Sequence, residues 1–146
     1  FLTAPLTEDV SIAGKISADL YVSTDVEDTC FTYKVCEVAP DGTTYNIRSG
    51  ITTLAYRNDS LGDRQTYTPN DIVKITIETL PITWNIKAGN SIRIDITSSN
   101  FPEYSIHSNY AGVWAEQTET KIANQTIHLG GDYPSSVTLP TLSVAG

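Results

Sequence analysis

Short segments in which apolar and polar residues alternate constrain this chain more than any other feature of its sequence. Between Ser91 and Thr97, Ile92, Ile94 and Ile96 fall on one face and polar side chains on the other. That two-residue period is typical of a half-buried β-strand, and the three isoleucines are predicted to join the core. Several such segments follow one another between turn residues, and no long window shows the 3.6-residue apolar repeat of a helix. The sequence therefore predicts an all-β sandwich, specifically a jelly roll.

The predicted strands lie between clusters of turn-forming residues. They cover residues 7–13, 15–23, 31–36, 44–47, 51–56, 71–79, 91–97, 123–129 and 136–139. Asp41-Gly42 is a strong hairpin signal, because glycine accepts the positive φ of a tight turn. Residues 103–117 carry no period and are expected to form a long connection or a functional loop. No linker composition divides the chain, so residues 1–146 are expected to form a single domain.

Charge and hydropathy exclude two classes of partner. The net charge is −8, and the nine Lys and Arg residues are scattered, which argues against nucleic-acid binding. No apolar run approaches the ~20 residues of a membrane span, so no membrane partner is predicted. The chain has no methionine, not even an initiator, and is expected to be a segment of a longer protein.

Motifs for catalysis and for metal binding are weak throughout the chain. The segment that comes nearest to a nucleophile elbow, residues 89–93, lacks the second glycine. His107 and His128 stand in different segments with no motif beside them, and structural roles are predicted for both. The acidic stretch at residues 25–28 lacks the ligand spacing of a calcium loop and is expected to be a solvated turn. No catalytic residue, metal ligand or cofactor is predicted.

The two cysteines, Cys30 and Cys36, fall in one predicted strand. An extended strand would hold them roughly 20 Å apart, whereas a disulfide needs Cα atoms within about 7 Å. They are therefore predicted to be packed thiols that do not pair with each other.

Aromatic residues leave carbohydrate binding open as an alternative function. Trp84, Tyr104, Tyr110 and Trp114 fall in positions that read as loops, and β-sandwich modules stack sugars on exposed aromatic rings. The same residue types are also common in cores and interfaces, so a purely structural or oligomerisation module with a large apolar face remains a third possibility.

A series of short motifs carries more information than any of them alone. In chain order they are residues 4–10 (APLTEDV), 20–23 (LYVS), 28–32 (DTCFT), 40–42 (PDG), 45–46 (YN), 50–51 (GI), 87–89 (KAG) and 98–102 (SSNFP). Their order resembles the C-terminal domain of the X-Pro dipeptidyl-peptidase and cocaine esterase family of serine hydrolases, which includes the CocE/NonD acyl hydrolases. The resemblance covers essentially the whole chain.

The resemblance implies a galactose-binding-like jelly roll. It also implies that the Ser-Asp-His machinery belongs to an upstream α/β-hydrolase domain, and that this segment is its non-catalytic partner. In such enzymes the jelly roll packs on the hydrolase domain, helps to wall the substrate cleft and can contribute to homo-oligomer contacts. The residues predicted to line the cleft or the domain boundary are Trp84, Ser99, Asn100, Phe101, Pro102 and Tyr104.

The chain departs from the family pattern at three positions. Cys30 stands where relatives often have Asp, and Trp84 where they often have His. Glu103 reverses the charge of an arginine that often follows the SSNFP motif, so a salt bridge from that arginine to a hydrolase domain is not expected here.

Overall fold

The computed structural model describes residues 1–58 and 61–142, which are almost entirely β-strands and loops. The strands are β1 (Val10–Gly14), β2 (Ser17–Thr24), β3 (Cys30–Val38), β4 (Thr44–Thr53), β5 (Val73–Glu78), β6 (Ile82–Ile86), β7 (Ser91–Thr97), β8 (Gln125–Gly130), β9 (Tyr133–Pro134), β10 (Ser136–Thr138) and β11 (Thr141–Leu142). Two 3₁₀ turns cover Leu54–Tyr56 and Trp114–Glu116. In the described part of the chain, no helix has the length and hydropathy needed to cross a bilayer.

The strands form antiparallel sheets that pack as a sandwich. One sheet has the order β4-β3-β7, and another has β1 between β11 and β6. In the third, β5 pairs with one edge of β2, while β10 and then β8 pair in turn along the other edge. The Ser135 hydroxyl accepts a hydrogen bond from the Tyr21 amide where β2 changes partners. This architecture confirms the predicted all-β jelly-roll sandwich.

Side chains from facing sheets fill a single apolar core. The fully buried side chains with the largest volumes are Tyr33, Phe31, Ile12, Ile16, Leu20, Leu54, Ile75, Ile77 and Ile86. Tyr33 spans the sandwich, and its hydroxyl donates to the Ile16 carbonyl at 2.8 Å. Burial raises the pKa of this phenol far above its usual range, so it remains a neutral donor.

The β7 isoleucines do not share one environment. Ile92 is 8% exposed and belongs to the core, as predicted. Ile94 and Ile96 are only half-buried, and they line a depression of about 200 Å³ together with Phe1 and Leu129. β7 lies at the margin of its sheet beside the first residues of the chain, where the Phe1 carbonyl accepts from the Ile94 amide. The predicted alternation is correct, but the end of β7 reaches the edge of the core.

Strand β4 is one continuous strand, although two were predicted. A register shift places Asn46 opposite Cys36 and Arg48 opposite Val35, which leaves Ile47 as the extra residue of a β-bulge. The bulge turns Ile47 inward, where it is 4% exposed. Alternation resumes beyond the bulge, so the polar residues before Gly50 do not end the strand.

Strand β6 was not predicted as a strand, and strands β1 and β2 begin later than expected. Residues 7–9 do not join β1, because the Asp9 carboxylate binds the turn at residues 87–89 instead. β6 pairs with β1 along its whole length, with Trp84 opposite Ile12. Leu80-Pro81 was expected to end the local pattern, but a new strand begins directly after it.

Gly50 sits where the β4-β3-β7 sheet meets β5. An added Cβ would lie 2.9 Å from Ile77 Cγ2, 3.0 Å from Tyr33 Cε1 and 3.1 Å from the Glu78 carbonyl oxygen. Two of these neighbours are buried core side chains and the third is a backbone atom, and none of them can yield easily.

We expect Gly50→Ala to lower the free energy of unfolding by ~1–3 kcal/mol, because overpacking outweighs the smaller gain from a stiffer unfolded chain. Urea unfolding of the purified chain measures the difference. Thr83→Ala, at an exposed position of β6, is the control and should change stability by less than ~0.5 kcal/mol. Equal stability of the two variants would contradict the close approach at Gly50.

Candidate functional site

The loop after β7 is held in place by hydrogen bonds to the neighbouring sheet. Lys34 Nζ on β3 donates to Asn100 Oδ1 at 3.2 Å, and Asn100 Nδ2 donates to Glu103 Oε2 at 2.6 Å. The Ser99 carbonyl accepts from Thr97 Oγ1 at 2.6 Å. The polar residues of this loop therefore fix its shape.

The next residues of the loop present their side chains outward. Phe101 is 72% exposed and is joined to the exposed Pro102 by a cis peptide bond. Tyr104 turns back over β4, where its hydroxyl lies 3.2 Å from Ser49 Oγ. Glu103 also accepts a hydrogen bond from Ser49, so the reversed charge at this position has a partner within the chain.

Trp84 lies apart from the other five predicted site residues. It is a half-buried residue of β6, not a loop residue, and its Nε1 donates to Glu37 Oε2 at 2.8 Å. Glu37 pairs with Ile92 near the start of β7, whereas the Ser99–Tyr104 loop follows the opposite end of that strand. The structure therefore brings Ser99 to Tyr104 together and separates Trp84 from them.

Glu37 is the centre of a buried hydrogen-bond network. Besides Trp84, its carboxylate accepts from Asn90 Nδ2 at 2.6 Å and from the Lys87 amide at 3.1 Å. Burial works to raise its pKa, but the donors Asn90, Lys87 and Trp84 together outweigh it and lower the pKa. Trp84 therefore serves the packing of β6 against β3.

Asp9 anchors the same turn from the N-terminal segment. Its carboxylate accepts from Lys87 Nζ at 2.8 Å, from the Ala88 amide at 2.9 Å and from Asn85 Nδ2 at 3.3 Å. The hydrogen bond from Lys87, followed by those from Ala88 and Asn85, lowers the Asp9 pKa to about 2. The two motifs APLTEDV and KAG thus meet in the structure.

A cavity of about 410 Å³ opens beside the Ser99–Tyr104 loop. Its rim is apolar and includes Ile106, Val113 and Trp114, which are 58%, 56% and 56% exposed. The cavity is also lined by polar side chains, which we call the polar floor: Asp28, Thr53, Arg64 and His107.

Asp28 is the buried centre of the polar floor. It is 3% exposed, and its Oδ1 accepts from the Thr29 amide at 3.0 Å and from the Ala55 amide at 3.1 Å. The expectation of a solvated turn at residues 25–28 is therefore wrong for Asp28, and also for Val26, which is 4% exposed. The backbone amides of Thr29, which directly precedes β3, and of Ala55 in the 3₁₀ turn replace the water that a surface carboxylate would bind.

The other oxygen of Asp28 faces the side chains of His107 and Arg64 across short gaps. His107 Nε2 lies 3.7 Å and Arg64 Nη2 lies 3.9 Å from Asp28 Oδ2. Burial raises the pKa of Asp28, and the Ala55 amide and His107 oppose that rise. Burial also lowers the pKa of His107, against the opposing effect of Asp28. No local sequence pattern could have indicated this group, because its members come from three separate segments.

The long connection that contains His107 is hydrogen-bonded to Thr29 through Asn109. Thr29 is fully buried, and its hydroxyl donates to Asn109 Oδ1 at 2.7 Å and accepts from Gln125 Nε2 at 2.6 Å. Asn109 Nδ2 in turn donates to the Lys121 carbonyl at 2.7 Å. Tyr110 is half-buried beneath Lys121, whose Nζ lies 4.5 Å from the ring centre.

The remaining candidates for chemistry have structural partners. His128 Nε2 lies 2.9 Å from Ser23 Oγ, and His107 Nδ1 accepts from the Asn109 amide at 2.9 Å, in line with the predicted structural roles. Cys30 and Cys36 are free and buried, which confirms the prediction of packed thiols. Burial raises the pKa of both thiols, so neither is an activated nucleophile. Within residues 1–58 and 61–142, no group of three acidic, His or Cys side chains could hold a metal ion.

The sequence model of a family described as "X-Pro dipeptidyl-peptidase C-terminal non-catalytic domain" matches residues 1–138. The chain belongs to this family. Membership defines this segment as non-catalytic.

A characterised enzyme resembles this X-Pro dipeptidyl-peptidase C-terminal domain along nearly its whole length. Cocaine esterase from Rhodococcus sp. (strain MB1 Bresler) is 34% identical over 144 residues, which are 97% of this chain and 25% of the esterase. The chain therefore spans about a quarter of that relative.

Solved structures share the fold of this C-terminal domain. An aminopeptidase from the marine sediment archaeon Thaumarchaeota archaeon superposes with a TM-score of 0.88 at 22% identity, over 98% of this chain and 25% of the aminopeptidase. An α-amino acid ester hydrolase superposes with a TM-score of 0.87 at 23% identity, over 97% of this chain and 25% of the hydrolase.

We expect Trp84→Phe to lower the free energy of unfolding by ~1–3 kcal/mol, because it removes one donor from the buried Glu37 carboxylate. Trp114→Phe is the matched control, since Trp114 is exposed on the cavity rim and should tolerate the change. Urea unfolding compares the two variants. If both were equally stable, the structural role of Trp84 would be refuted.

Glu37 should also affect how steeply the free energy of unfolding falls with pH in acid. Because its folded-state pKa is lowered, it contributes stability that is present above its usual value of 4.5 and is lost as the pH falls through the lowered pKa. We therefore expect the unfolding free energy of Glu37→Gln to fall less steeply below pH 4.5 than that of the wild type. Trp84→Phe should give an intermediate slope. Identical acid slopes for all three proteins would contradict this assignment.

Proposed function

We propose that this chain is the accessory domain of a larger serine hydrolase that acts on esters or amides. In this proposal it packs on an α/β-hydrolase domain of the same protein and forms one wall of the substrate cleft. Support comes from its family, from its 34% identity to a cocaine esterase, and from the fact that it spans only 25% of that protein.

The apolar rim of the cavity is the observation that carries this proposal. Ile106, Val113 and Trp114 are each more than half exposed around one opening, and Phe101 extends from the adjoining loop. Isolated apolar residues are common on protein surfaces, but a contiguous apolar patch with a polar surround marks an interaction site. Covering these side chains would remove their apolar area from water, at roughly 25 cal/mol per Å².

The rigidity of the loop favours a positioning role. Asn100 is bonded to Lys34 on one side and to Glu103 on the other, so Phe101 and Pro102 project from a fixed base. A rigid wall holds a substrate by shape and lowers the entropic cost of reaction without taking part in proton transfer. The cleft-lining role of Ser99 to Tyr104 is accordingly part of the proposal, and Trp84 is left out of it.

The test compares two exposed aliphatic residues in the full-length enzyme. Ile106 and Leu129 are both 58% exposed, but only Ile106 lies on the cavity rim. We expect Ile106→Ala to destabilise the full-length enzyme by ~1 kcal/mol and to raise KM, whereas Leu129→Ala should change neither. Both substitutions should leave the isolated domain at its original melting temperature, because each side chain is exposed there.

Removal of residues 1–146 from the full-length enzyme is the second measurement. Lower activity or a lower melting temperature of the remaining protein is the expected result. Unchanged kcat, KM and melting temperature would refute the accessory role. An effect of Leu129→Ala as large as that of Ile106→Ala would refute the assignment of the interface to the cavity rim. It would instead indicate an interface, between domains or between copies of the chain, at the depression near Phe1 that Leu129 lines.

A further inference from the structure

The polar floor contains a carboxylate oxygen held only by long ion-pair contacts and, among the described residues, one buried hydroxyl without a hydrogen-bond partner. Asp28 is more than nine-tenths buried, yet the gaps from its Oδ2 to His107 and Arg64 are longer than hydrogen bonds. Thr53 Oγ1 is buried and has no hydrogen-bond partner within residues 1–58 and 61–142. Nearly all buried polar groups in folded proteins are paired, so unmatched groups beside a cavity favour a ligand that supplies their partners.

The protonation state of His107 determines which hydrogen-bond donors and acceptors a ligand on the polar floor needs. The Asn109 amide donates to His107 Nδ1, which is therefore the unprotonated nitrogen of a neutral ring. The proton then lies on Nε2, the nitrogen that faces Asp28. Burial lowers the pKa of His107, which favours this neutral form. The floor thus offers acceptors on Asp28 and Thr53 and donors on His107 and Arg64.

The charges of the floor disfavour an ionic ligand. The Asp28 carboxylate and the Arg64 guanidinium cancel, and the neutral His107 adds no charge. A ligand with a net charge would lose its hydration on entry without finding an excess of the opposite charge. A neutral group that both donates and accepts, such as a primary amide, can bridge the gap between Asp28 Oδ2 and His107 Nε2.

The walls of the cavity indicate the size and polarity of the rest of the ligand. Ile51, Tyr56, Tyr104, Ile106, Val113 and Trp114 surround the floor with mostly apolar surface. A volume of about 410 Å³ lies within the range of small-molecule sites. Water alone could bond to the floor but would gain nothing from these walls. A sugar would place many hydroxyl groups against apolar side chains, at a cost in unpaired hydrogen bonds.

We propose that this cavity binds a small uncharged molecule with an apolar, ring-sized body and one amide-like end that both donates and accepts hydrogen bonds. The amide end lies on the polar floor and the ring lies between the rim residues Ile106, Val113 and Trp114. This inference goes beyond the accessory role. Because Ile106, Val113 and Trp114 belong to both proposals, the inference rests on the accessory role in one respect, that the hydrolase domain borders the rim and leaves the cavity open to the cleft. Ligand binding by the 146-residue chain tests the cavity, whereas Ile106→Ala in the full-length enzyme tests the interface, so the failure of one can be told from the failure of the other.

Two buried hydroxyls that have no hydrogen-bond partner in the described part of the chain provide a matched pair of variants. Thr53 lines the cavity, whereas Thr24, whose Oγ1 is also buried and unpaired, does not. Thr53→Val and Thr24→Val replace each hydroxyl with a methyl group of similar size. Both should keep or raise the melting temperature, because each removes an unsatisfied polar atom. Thr53 makes no side-chain cap to the 3₁₀ turn that follows it, so that turn is unaffected.

The experiment is an NMR titration of the 146-residue chain with benzamide, toluene and methyl α-galactoside. Benzamide should shift the resonances of Ile106, Val113 and the Trp114 indole in a saturable manner, with the millimolar affinity of so small a ligand. Toluene lacks the polar end and should bind about fivefold to tenfold more weakly. Thr53→Val should weaken benzamide binding about fivefold, and Thr24→Val should leave it unchanged.

Several outcomes would overturn the proposal. Benzamide shifts that do not saturate would exclude the site, and toluene binding as tightly as benzamide would exclude the role of the polar floor. Tighter binding of methyl α-galactoside at the same resonances would favour the carbohydrate alternative. Equal effects of Thr53→Val and Thr24→Val would exclude Thr53 as a contact. If Thr53→Val does not fold, Val113→Ser on the exposed rim replaces it, with the same expected loss of affinity.

Discussion

The sandwich depends on the close approach of two sheets at Gly50. With no side chain there, Ile77 and the Tyr33 ring come within the space that a Cβ would occupy. β4 therefore stays close to the core up to its end and leads into a 3₁₀ turn whose Leu54 and Ala55 are buried. The Ala55 amide then reaches the Asp28 carboxylate. The packing of the sheets thus places the floor of the candidate site.

Two buried carboxylates show how differently one fold uses the same chemical group. Glu37 is surrounded by donors from Trp84, the Lys87 amide and Asn90, and its network joins strands. Asp28 uses one oxygen in the same structural manner and turns the other toward a cavity. Buried polar groups that are fully paired stabilise and specify a fold, whereas incompletely paired ones beside a cavity indicate a site.

The sequence predicted the parts of the fold whose signal is local. β2, β5 and β7 were found from alternation, since each has one face on the core. No local signal predicts β6, because it directly follows Leu80-Pro81 and its pairing with β1 depends on distant residues. β4 is predicted as two strands because polar residues and Gly50 follow Ile47, whereas in the structure a bulge at Ile47 shifts the register and the strand continues.

By itself the sequence determined the all-β class, the packed thiols and, through the order of its motifs, the family. It also placed Ser99 to Tyr104 together, because they follow one another along the chain. Only the tertiary structure decided that Trp84 lies apart from them and that Asp28, Arg64 and His107 meet. The physical reason is that alternation reports which face of a strand is buried, whereas contacts between distant segments depend on how the sheets pack, and no local pattern records that packing.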